Sequence, residues 1–189
     1  MAIEGLQIGL LGGMRAGKDE VGEYLVKKYG FKRFAFADGV KKTAKKLFPA
    51  EFEKGKPRKL LQDFGQYCVS LDQDVWVNYM FREMLFQEVD PVTDNVVVTD
   101  VRQPHEYEKL LESGFTFFLI DTPEPIRRKR AGDIPDAQFY HETEQFFKTV
   151  EVDYVIQNDQ EDDLRSLYRQ IDYLIMDMTG GEVHGSRGV

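Results

Sequence analysis

Residues 12–19 read GGMRAGKD, and their types and spacing are those of a loop that holds phosphate groups. Glycines at both ends let the backbone turn tightly with positive φ, so that successive N–H groups can point at phosphate oxygens. Lys18 can reach the outer phosphates of a nucleotide as a compact charge, and a helix that follows adds its positive end. The pattern predicts a nucleoside triphosphate site; a glycine-rich turn without a ligand is the alternative. The predicted contacts are Gly12, Gly13, Met14, Arg15, Ala16, Gly17, Lys18, Asp19 and Glu20.

Alternating strand-like and helix-like segments must position this loop. Apolar strand patterns occur at residues 7–11, 31–36, 95–99, 115–120 and 154–156. Helical patterns lie between and after them, at residues 20–29, 38–47, 57–71, 75–89, 104–113, 123–131 and up to about residue 178. The alternation predicts an α/β fold with a five-stranded parallel sheet and helices on both faces. Ligands of such sheets bind at the carboxyl ends of strands, where the loop and Asp100 both lie.

The ends of the later helices carry recognisable signals. Thr122 followed by Pro123 predicts the cap and first residue of a short basic helix. Asp162 or Asp163 is expected to cap the last helix, whose apolar stripe is expected to pack in the core. Residues 179–189 are rich in glycine and lack apolar periodicity, so we expect a flexible tail.

Composition narrows the class of protein. A chain of 189 residues with 42% hydrophobic residues predicts one domain with a sizeable core. The net charge of −8 argues against general binding to nucleic acid or to an anionic membrane. The single cysteine rules out an intramolecular disulfide, and one cysteine with three histidines argues against a structural zinc site. With no signal peptide and no long apolar stretch in the sequence, we expect a cytoplasmic protein.

Four segments together resemble one family. They are GKD at residues 17–19, RKLLQDFG at 58–65 followed by Val75-Trp76, VVTDVRQPHE at 97–106, and DYVIQN at 153–158. In order and spacing they resemble the deoxynucleoside monophosphate kinases of bacteriophages and bacteria, a branch of the P-loop kinases. The resemblance runs from about residue 6 to residue 178. It implies a three-layer P-loop NTPase fold, with an acceptor-binding helical part at about 37–90 and a short lid at about 122–150.

The resemblance implies Mg²⁺-dependent phosphoryl transfer from ATP to a (deoxy)nucleoside monophosphate. The residues expected to act on the phosphates are Lys18, Arg102, Arg127 and Arg130. Arg102 is expected to contact the acceptor phosphate, and a surface salt bridge to Glu106 is the alternative. Arg127 and Arg130 lie three residues apart on one helix and match the lid arginines of the family; a solvated basic helix is the alternative.

Two aspartates are the candidate magnesium ligands. Asp19 stands where a P-loop ordinarily carries a Ser or Thr that binds Mg²⁺. A carboxylate can also hold Mg²⁺, directly or through water, but it can equally serve only to favour the helix dipole. Asp100 follows a predicted buried strand, as a metal-associated acid would; a turn or a cap of the next helix is the alternative. Relatives commonly carry Thr after GKD, whereas this chain has Glu20.

The resemblance also suggests how the nucleotides are read. The residues expected to bind the acceptor are Asp38, Lys41, Arg58, Gln62, Trp76 and Arg102, with helix capping, core packing or a solvated helix face as alternatives. Asn158 follows the last strand, where P-loop kinases often hold adenine. Many relatives carry an arginine near residues 68–70, which here are CVS, so another residue must supply that contact if it is made. The segment HETE at 141–144 is expected to cap a helix.

Other functions fit parts of the pattern. A kinase of another small metabolite, such as dephospho-coenzyme A, would use the same fold. A switch of the GTPase type would need an N-K-x-D motif, which the sequence lacks. A nucleotide-binding protein with weak or no catalysis is suggested by Glu20 and the missing arginine. The expected partners are small-molecule nucleotides, with no nucleic acid and no membrane, and the protein is expected to be a monomer or a homodimer.

Overall fold

The computed structural model describes residues 5–159 and 164–180. The five strands are β1 (Gln7–Leu11), β2 (Lys32–Phe34), β3 (Val96–Val98), β4 (Thr116–Asp121) and β5 (Tyr154–Gln157). The helices are α1 (Lys18–Tyr29), α2 (Phe36–Leu47), α3 (Pro49–Glu53), α4 (Arg58–Leu71), α5 (Val75–Phe86), α6 (Pro104–Glu112), α7 (Glu124–Ala131), α8 (Asp136–Phe139) and α9 (Leu164–Met178). Two short 3₁₀ turns, Glu142–Glu144 and Phe146–Lys148, precede β5.

The strands form one parallel sheet in the order β2-β3-β1-β4-β5. β1 lies in the middle, and the chain fills the β3 side of the sheet before it crosses to the β4 side. The loop that leaves the carboxyl end of β1 therefore lies at the switch point, where open α/β sheets bind ligands. The predicted five-stranded α/β fold is confirmed.

Apolar residues cover both faces of the sheet. On one face, Trp76, Met80 and Met84 of α5 pack against β3 and β4. On the other face, Val21 and Leu25 of α1 pack with α9, which buries Leu167, Ile171 and Ile175. The structure therefore has three layers, and the apolar stripe of α9 belongs to the core as predicted.

The end of the chain is only partly described. Thr179 and Gly180 form a turn after α9, with the amide of Thr179 bonded to the carbonyl of Ile175 at 3.2 Å. The rest of the predicted tail and the predicted caps Asp162 and Asp163 lie outside the described residues. None of the helices described has both the length and the apolar character needed to cross a membrane.

Candidate active site

The loop between β1 and α1 has the backbone that its glycines predict. Gly12 and Gly17 have φ values of 145° and 103°. A Cβ atom at Gly12 would lie 2.7 Å from the carbonyl oxygen of Ile120, and one at Gly13 would lie 2.4 Å from the guanidinium of Arg127. A larger residue at Gly12 would collide with the backbone of β4, so the loop requires glycine there, whereas one at Gly13 would displace the Arg127 side chain.

Lys18, the first residue of α1, is buried beneath this loop. Its Nζ donates hydrogen bonds to the carbonyl oxygens of Gly12 at 2.6 Å and Gly13 at 3.1 Å. Burial, followed by the charge of Arg102, lowers the pKa of Lys18 to about 7, with a smaller contribution from Arg127. The carboxylates of Asp19 and Asp100 act in the opposite direction. Four of the charged side chains predicted for catalysis and metal binding therefore lie close enough to Lys18 to act on its charge, namely Asp19, Asp100, Arg102 and Arg127.

Two side chains hold the loop through one carbonyl group. The Oγ1 atom of Thr122 and the Nδ2 atom of Asn158 both donate to the carbonyl oxygen of Ala16, at 2.8 Å and 2.7 Å. The sequence predicts that Thr122 caps α7, and this prediction is wrong. α7 begins at Glu124, and the hydroxyl of Thr122 bonds to the loop instead. Asn158 supports the loop through its side-chain amide, and its contact with adenine stays a prediction.

The arginines of α7 approach the outer side of the same loop. Arg127 is buried; its Nε donates to the carbonyl of Thr122 at 3.1 Å and its Nη1 to the carbonyl of Met14 at 3.4 Å. Arg130 donates from Nη1 to the carbonyl of Arg15 at 3.5 Å. Arg128 turns away and pairs with Asp136. The three-residue spacing thus brings Arg127 and Arg130 to one loop, while their closure over a nucleotide stays a prediction.

The two acidic residues after Lys18 have different surroundings. Glu20 accepts a short hydrogen bond from the hydroxyl of Tyr168 on α9, which raises the pKa of Tyr168 to about 12. Asp19 is exposed at the start of α1. Glu20 is therefore drawn toward α9, and Asp19 is the carboxylate that remains beside the loop.

The structure permits a magnesium site in which the nucleotide supplies part of the shell. Within residues 5–159 and 164–180, no three His, Cys, Asp or Glu side chains come together to hold a metal ion. Mg²⁺ in phosphoryl-transfer sites, however, usually takes one or two carboxylates, water and phosphate oxygens. The exposed carboxylate of Asp19 fits that requirement.

Asp100, the second predicted metal ligand, follows β3 and caps α2, the helix that follows the neighbouring strand β2. Its Oδ1 accepts from the amide of Phe36 at 2.8 Å, and its Oδ2 accepts from the amide of Ala37 at 2.9 Å. Burial raises the pKa of Asp100, and these two hydrogen bonds oppose the rise. α2 begins two residues earlier than predicted, where Asp100 satisfies its first amides. A metal role for Asp100 stays a prediction that has to accommodate both of these bonds.

A cavity of about 350 Å³ opens between α2, α4 and the segment after β3, and Asp100 and Arg102 in its lining also act on the charge of Lys18 at the phosphate loop. Five of the six predicted acceptor residues line it: Lys41, Arg58, Gln62, Trp76 and Arg102. Its apolar lining comes from Phe36, Val40, Leu61, Val69 and Trp76. The indole N–H of Trp76 donates to the carbonyl of Gly65 at 3.1 Å, which fixes the ring against α4.

Asp38 is the predicted acceptor residue that does not line this cavity. Its carboxylate pairs with Arg33 at 2.8 Å and with Lys41 at 2.8 Å. The Asp38 carboxylate is therefore held by one cation of β2 and one of α2. Lys56, which precedes α4, also lines the cavity, although it is not among the residues that the sequence predicts to bind the acceptor.

Arg102 has a different partner from the one expected. Its guanidinium pairs closely with Glu144, while Glu106 accepts from the backbone amides of Arg102 at 2.8 Å and Gln103 at 3.0 Å. Burial and the charge of Asp100 raise the pKa of Glu106 to about 8. Glu144 belongs to the HETE segment, for which the sequence predicts only a helix cap. The histidine, threonine and acidic residues of that segment were visible in the sequence, but their distance from Arg102 along the chain hid the contact.

Known proteins resemble this chain at two levels. The sequence model of the deoxynucleotide monophosphate kinase family matches residues 45–171, about two thirds of the chain. A protein of Acanthamoeba polyphaga mimivirus, provisionally named a deoxynucleotide monophosphate kinase, is 27% identical over 145 residues, covering 61% of this chain and 74% of that protein. The uncharacterized protein ORF77 of Ictalurid herpesvirus 1 (strain Auburn) is 30% identical over 136 residues, which are 68% of this chain and 58% of that protein.

Solved structures extend the likeness in fold. Shikimate kinase from Acinetobacter baumannii, in complex with shikimate, superposes with a TM-score of 0.55 at 15% identity, covering 94% of this chain and 96% of that one. At this identity the likeness concerns the fold alone. The family match includes α4, Asp100, Arg102, Arg127 and Arg130, all of which the geometry brings to the phosphate loop or the adjoining cavity. This chain belongs to the deoxynucleotide monophosphate kinase family.

Proposed function

We propose that this protein transfers the γ-phosphoryl group of ATP to a deoxynucleoside monophosphate and releases the diphosphate. One observation carries the proposal: Arg102 lines the cavity and its charge also acts on the buried ammonium of Lys18. A donor phosphate on the loop and an acceptor phosphate in the cavity would therefore share one cluster of cations. Family membership supports the nucleotide as acceptor.

The cavity has the chemistry that a mononucleotide requires. Its volume of about 350 Å³ lies in the range of small-molecule sites. The face of Trp76 and the neighbouring apolar side chains suit a flat base. Lys41, Arg58 and Arg102 suit a phosphate, because cations in a partly desolvated cleft strengthen charge-assisted hydrogen bonds.

Phosphoryl transfer needs positioning and charge neutralisation more than covalent help from the protein. Lys18 and the backbone amides of residues 12–17 would hold the donor phosphates. Arg127 and Arg130 reach the rim of the same loop, from which they can meet charge that develops on the transferred group. Mg²⁺, held by Asp19 with the phosphates, would neutralise part of that charge.

Each residue in this proposal comes from one chain, so the site can work in a monomer or in a homodimer. Its proposed partners are small nucleotides, and a supply of ATP fits the expected cytoplasmic location.

A coupled assay of ADP release, run over a panel of nucleoside monophosphates with ATP and Mg²⁺, tests the proposal. We expect ADP release that depends on at least one deoxynucleoside monophosphate. Lys18→Ala should lower it by about a hundredfold or more, because a buried donor to the transferred group is lost. Lys59→Ala is the matched control, since Lys59 is exposed on α4 and pairs with Asp63. Release that is equal with and without every acceptor would contradict the proposal.

Two alternatives have their own arms in this assay. A kinase of another small metabolite would release ADP with dephospho-coenzyme A or shikimate and with no nucleoside monophosphate. A binding protein without catalysis would release none, although nucleotides would still raise its melting temperature. The three functions therefore give three different results.

A further inference from the structure

Glu144 is a buried carboxylate with one partner. Only 4% of its side chain is exposed, and its Oε1 atom pairs with Nη1 of Arg102. Its second oxygen, Oε2, is buried and has no hydrogen-bond donor among the residues that the structure describes. Arg102, in contrast, keeps 41% of its side chain exposed and lines the acceptor cavity. The buried carboxylate of Glu144 therefore pairs with a partly exposed guanidinium, that of Arg102.

The turn around Glu144 fixes where its carboxylate lies. The amide of Glu144 donates to the carbonyl of His141 at 2.8 Å, and Nδ1 of His141 lies 2.9 Å from Oγ1 of Thr143. Thr143 itself lines the cavity. The next turn packs Phe146 on Tyr107 of α6, with ring centroids 6.2 Å apart. The turn is thus bonded internally and anchored to the core beside the cavity.

The geometry of arginine explains what such a partner can do. A guanidinium has five N–H donors in a rigid plane, so one strong bond restricts the direction of the others. Arg102 uses Nη1 for Glu144 and has the rest of its fork for a ligand. An unpaired arginine in the same place would sample several rotamers and would lose that entropy on binding phosphate.

We propose that Glu144 is a positioning residue, which holds the guanidinium of Arg102 in the orientation that binds the phosphate of the acceptor nucleotide. The inference rests on the proposed function in one respect, namely that the cavity takes a nucleoside monophosphate. It differs from a purely structural role because Glu144 acts on one substrate, through one residue.

The test compares Glu144→Gln, Glu144→Asp and Arg102→Ala with the double variant, by KM and kcat for each substrate. Glu144→Gln should raise the KM of the acceptor about tenfold, which is the usual size of a lost charged hydrogen bond. The KM of ATP should change less than about twofold, since Glu144 pairs with Arg102 and none of the hydrogen bonds described for residues 12–17 involves Glu144. Glu144→Asp keeps the charge and should recover part of the loss. In the Arg102→Ala background, Glu144→Gln should have no further effect on acceptor binding.

The control is Asp136→Asn, which removes the acid of another arginine pair in the same segment, that of Arg128. It should leave both KM values unchanged. Equal rises in the KM of ATP and of the acceptor with Glu144→Gln would overturn the inference, and so would a loss that persists in the Arg102→Ala background. Urea unfolding of each variant identifies any loss that comes from the fold.

Failure of the proposed function gives a different result. If the wild-type protein turns over no nucleoside monophosphate, equilibrium dialysis with a radiolabelled nucleoside monophosphate replaces the kinetics. Weaker binding by Glu144→Gln, but not by Asp136→Asn, would then still support the positioning role. Absence of binding to the wild-type protein would overturn both.

Discussion

Lys18 is buried, and its pKa is set by burial and nearby arginines on one side and by two carboxylates on the other. Its ammonium donates to two loop carbonyls, yet burial and the neighbouring arginines lower its pKa to about 7. Below pH 7 the folded protein therefore has Lys18 protonated and ready for phosphate. As the pH rises above 7, a growing fraction of Lys18 is neutral until an anion raises its pKa again.

This pKa predicts that nucleotide binding takes up a proton. At pH 8.5, binding of a nonhydrolysable ATP analogue should bring about one proton per site onto Lys18, and at pH 6 almost none. Calorimetry in buffers of different ionisation enthalpy measures the uptake. The uptake should be absent in Lys18→Met. A binding enthalpy that is independent of the buffer at pH 8.5 would show that Lys18 stays charged.

Asn158 distinguishes support of the loop from recognition of the base. Its Nδ2 atom donates to the carbonyl of Ala16 at 2.7 Å, so Asn158→Ala should loosen the loop. We expect the KM for ATP and for GTP to rise together, by about threefold to tenfold, the cost of one neutral hydrogen bond. Thr122→Val removes the second donor to the same carbonyl and should act in the same way. A change confined to ATP would mean that Asn158 reads adenine.

The Arg102–Glu144 pair should respond unequally to loss of each partner. Arg102→Ala leaves a buried carboxylate unpaired and should lower the free energy of unfolding by about 2–3 kcal/mol. Glu144→Gln leaves an arginine that water can reach, and should cost about 1 kcal/mol or less. The double variant should be more stable than Arg102→Ala alone. Urea denaturation measures all three; equal losses would contradict the burial argument.

At the residue scale, the sequence predicts the loop and most of the cavity, because both depend on local spacing. Gly12, Gly17 and Lys18 lie in one short segment, and Arg58 and Gln62 lie one helical turn apart. The partners of charged side chains were harder to predict. Glu144 lies 42 residues from Arg102, and Tyr168 lies 148 residues from Glu20, so only the fold brings them together.

At the scale of elements, α1 connects the phosphate loop to the rest of the molecule. Its other end is held by Asp172 of α9, which accepts from Tyr24 at 2.8 Å, from Tyr29 at 2.6 Å and from Lys28 at 2.7 Å. Burial would raise the pKa of Asp172, but these three hydrogen bonds lower it below its usual value. The two helices thus share a charged clamp on the face opposite the acceptor cavity.

The three hydrogen bonds to Asp172 predict that removing its charge lowers the stability of the fold. Asp172→Asn should lower the free energy of unfolding by about 1–2 kcal/mol, since two tyrosine hydroxyls lose a charged acceptor. The contribution should be full above pH 4 and should fade as the pH drops through the lowered pKa, because the folded state holds Asp172 ionised. Denaturation at pH 7 and pH 3 measures it. A difference between wild type and variant that is the same at both pH values would contradict the assignment.

Element ends were less predictable than elements. α2 begins at Phe36 because Asp100, at the end of the neighbouring strand β3, caps it. No local pattern in the sequence predicts this contact. α7 begins after Thr122 because the threonine hydroxyl goes to the loop. In both places a residue that the sequence assigns to its own segment stabilises a distant one.

At the scale of the whole molecule, the alternation of strands and helices predicts the sheet, and the position of β1 at its centre predicts where the ligand binds. The inner strands β1, β3 and β4 are short, mostly apolar runs, as expected of buried parallel strands, and a single sequence displays them clearly. The site needs more than the sheet, because α4, the segment after β3 and the turns before β5 must meet around one cavity. That meeting depends on tertiary packing.

The proposed function requires the loop at residues 12–17 and the adjoining cavity to hold the donor and the acceptor of one phosphoryl group. Incubation with ATP labelled in its γ-phosphate, Mg²⁺ and a deoxynucleoside monophosphate tests it most directly. We expect label to appear in the deoxynucleoside diphosphate, and Lys18→Met to lower its formation by about a hundredfold or more. Label that remains in ATP or inorganic phosphate with every deoxynucleoside monophosphate, or that passes only to dephospho-coenzyme A, would contradict it.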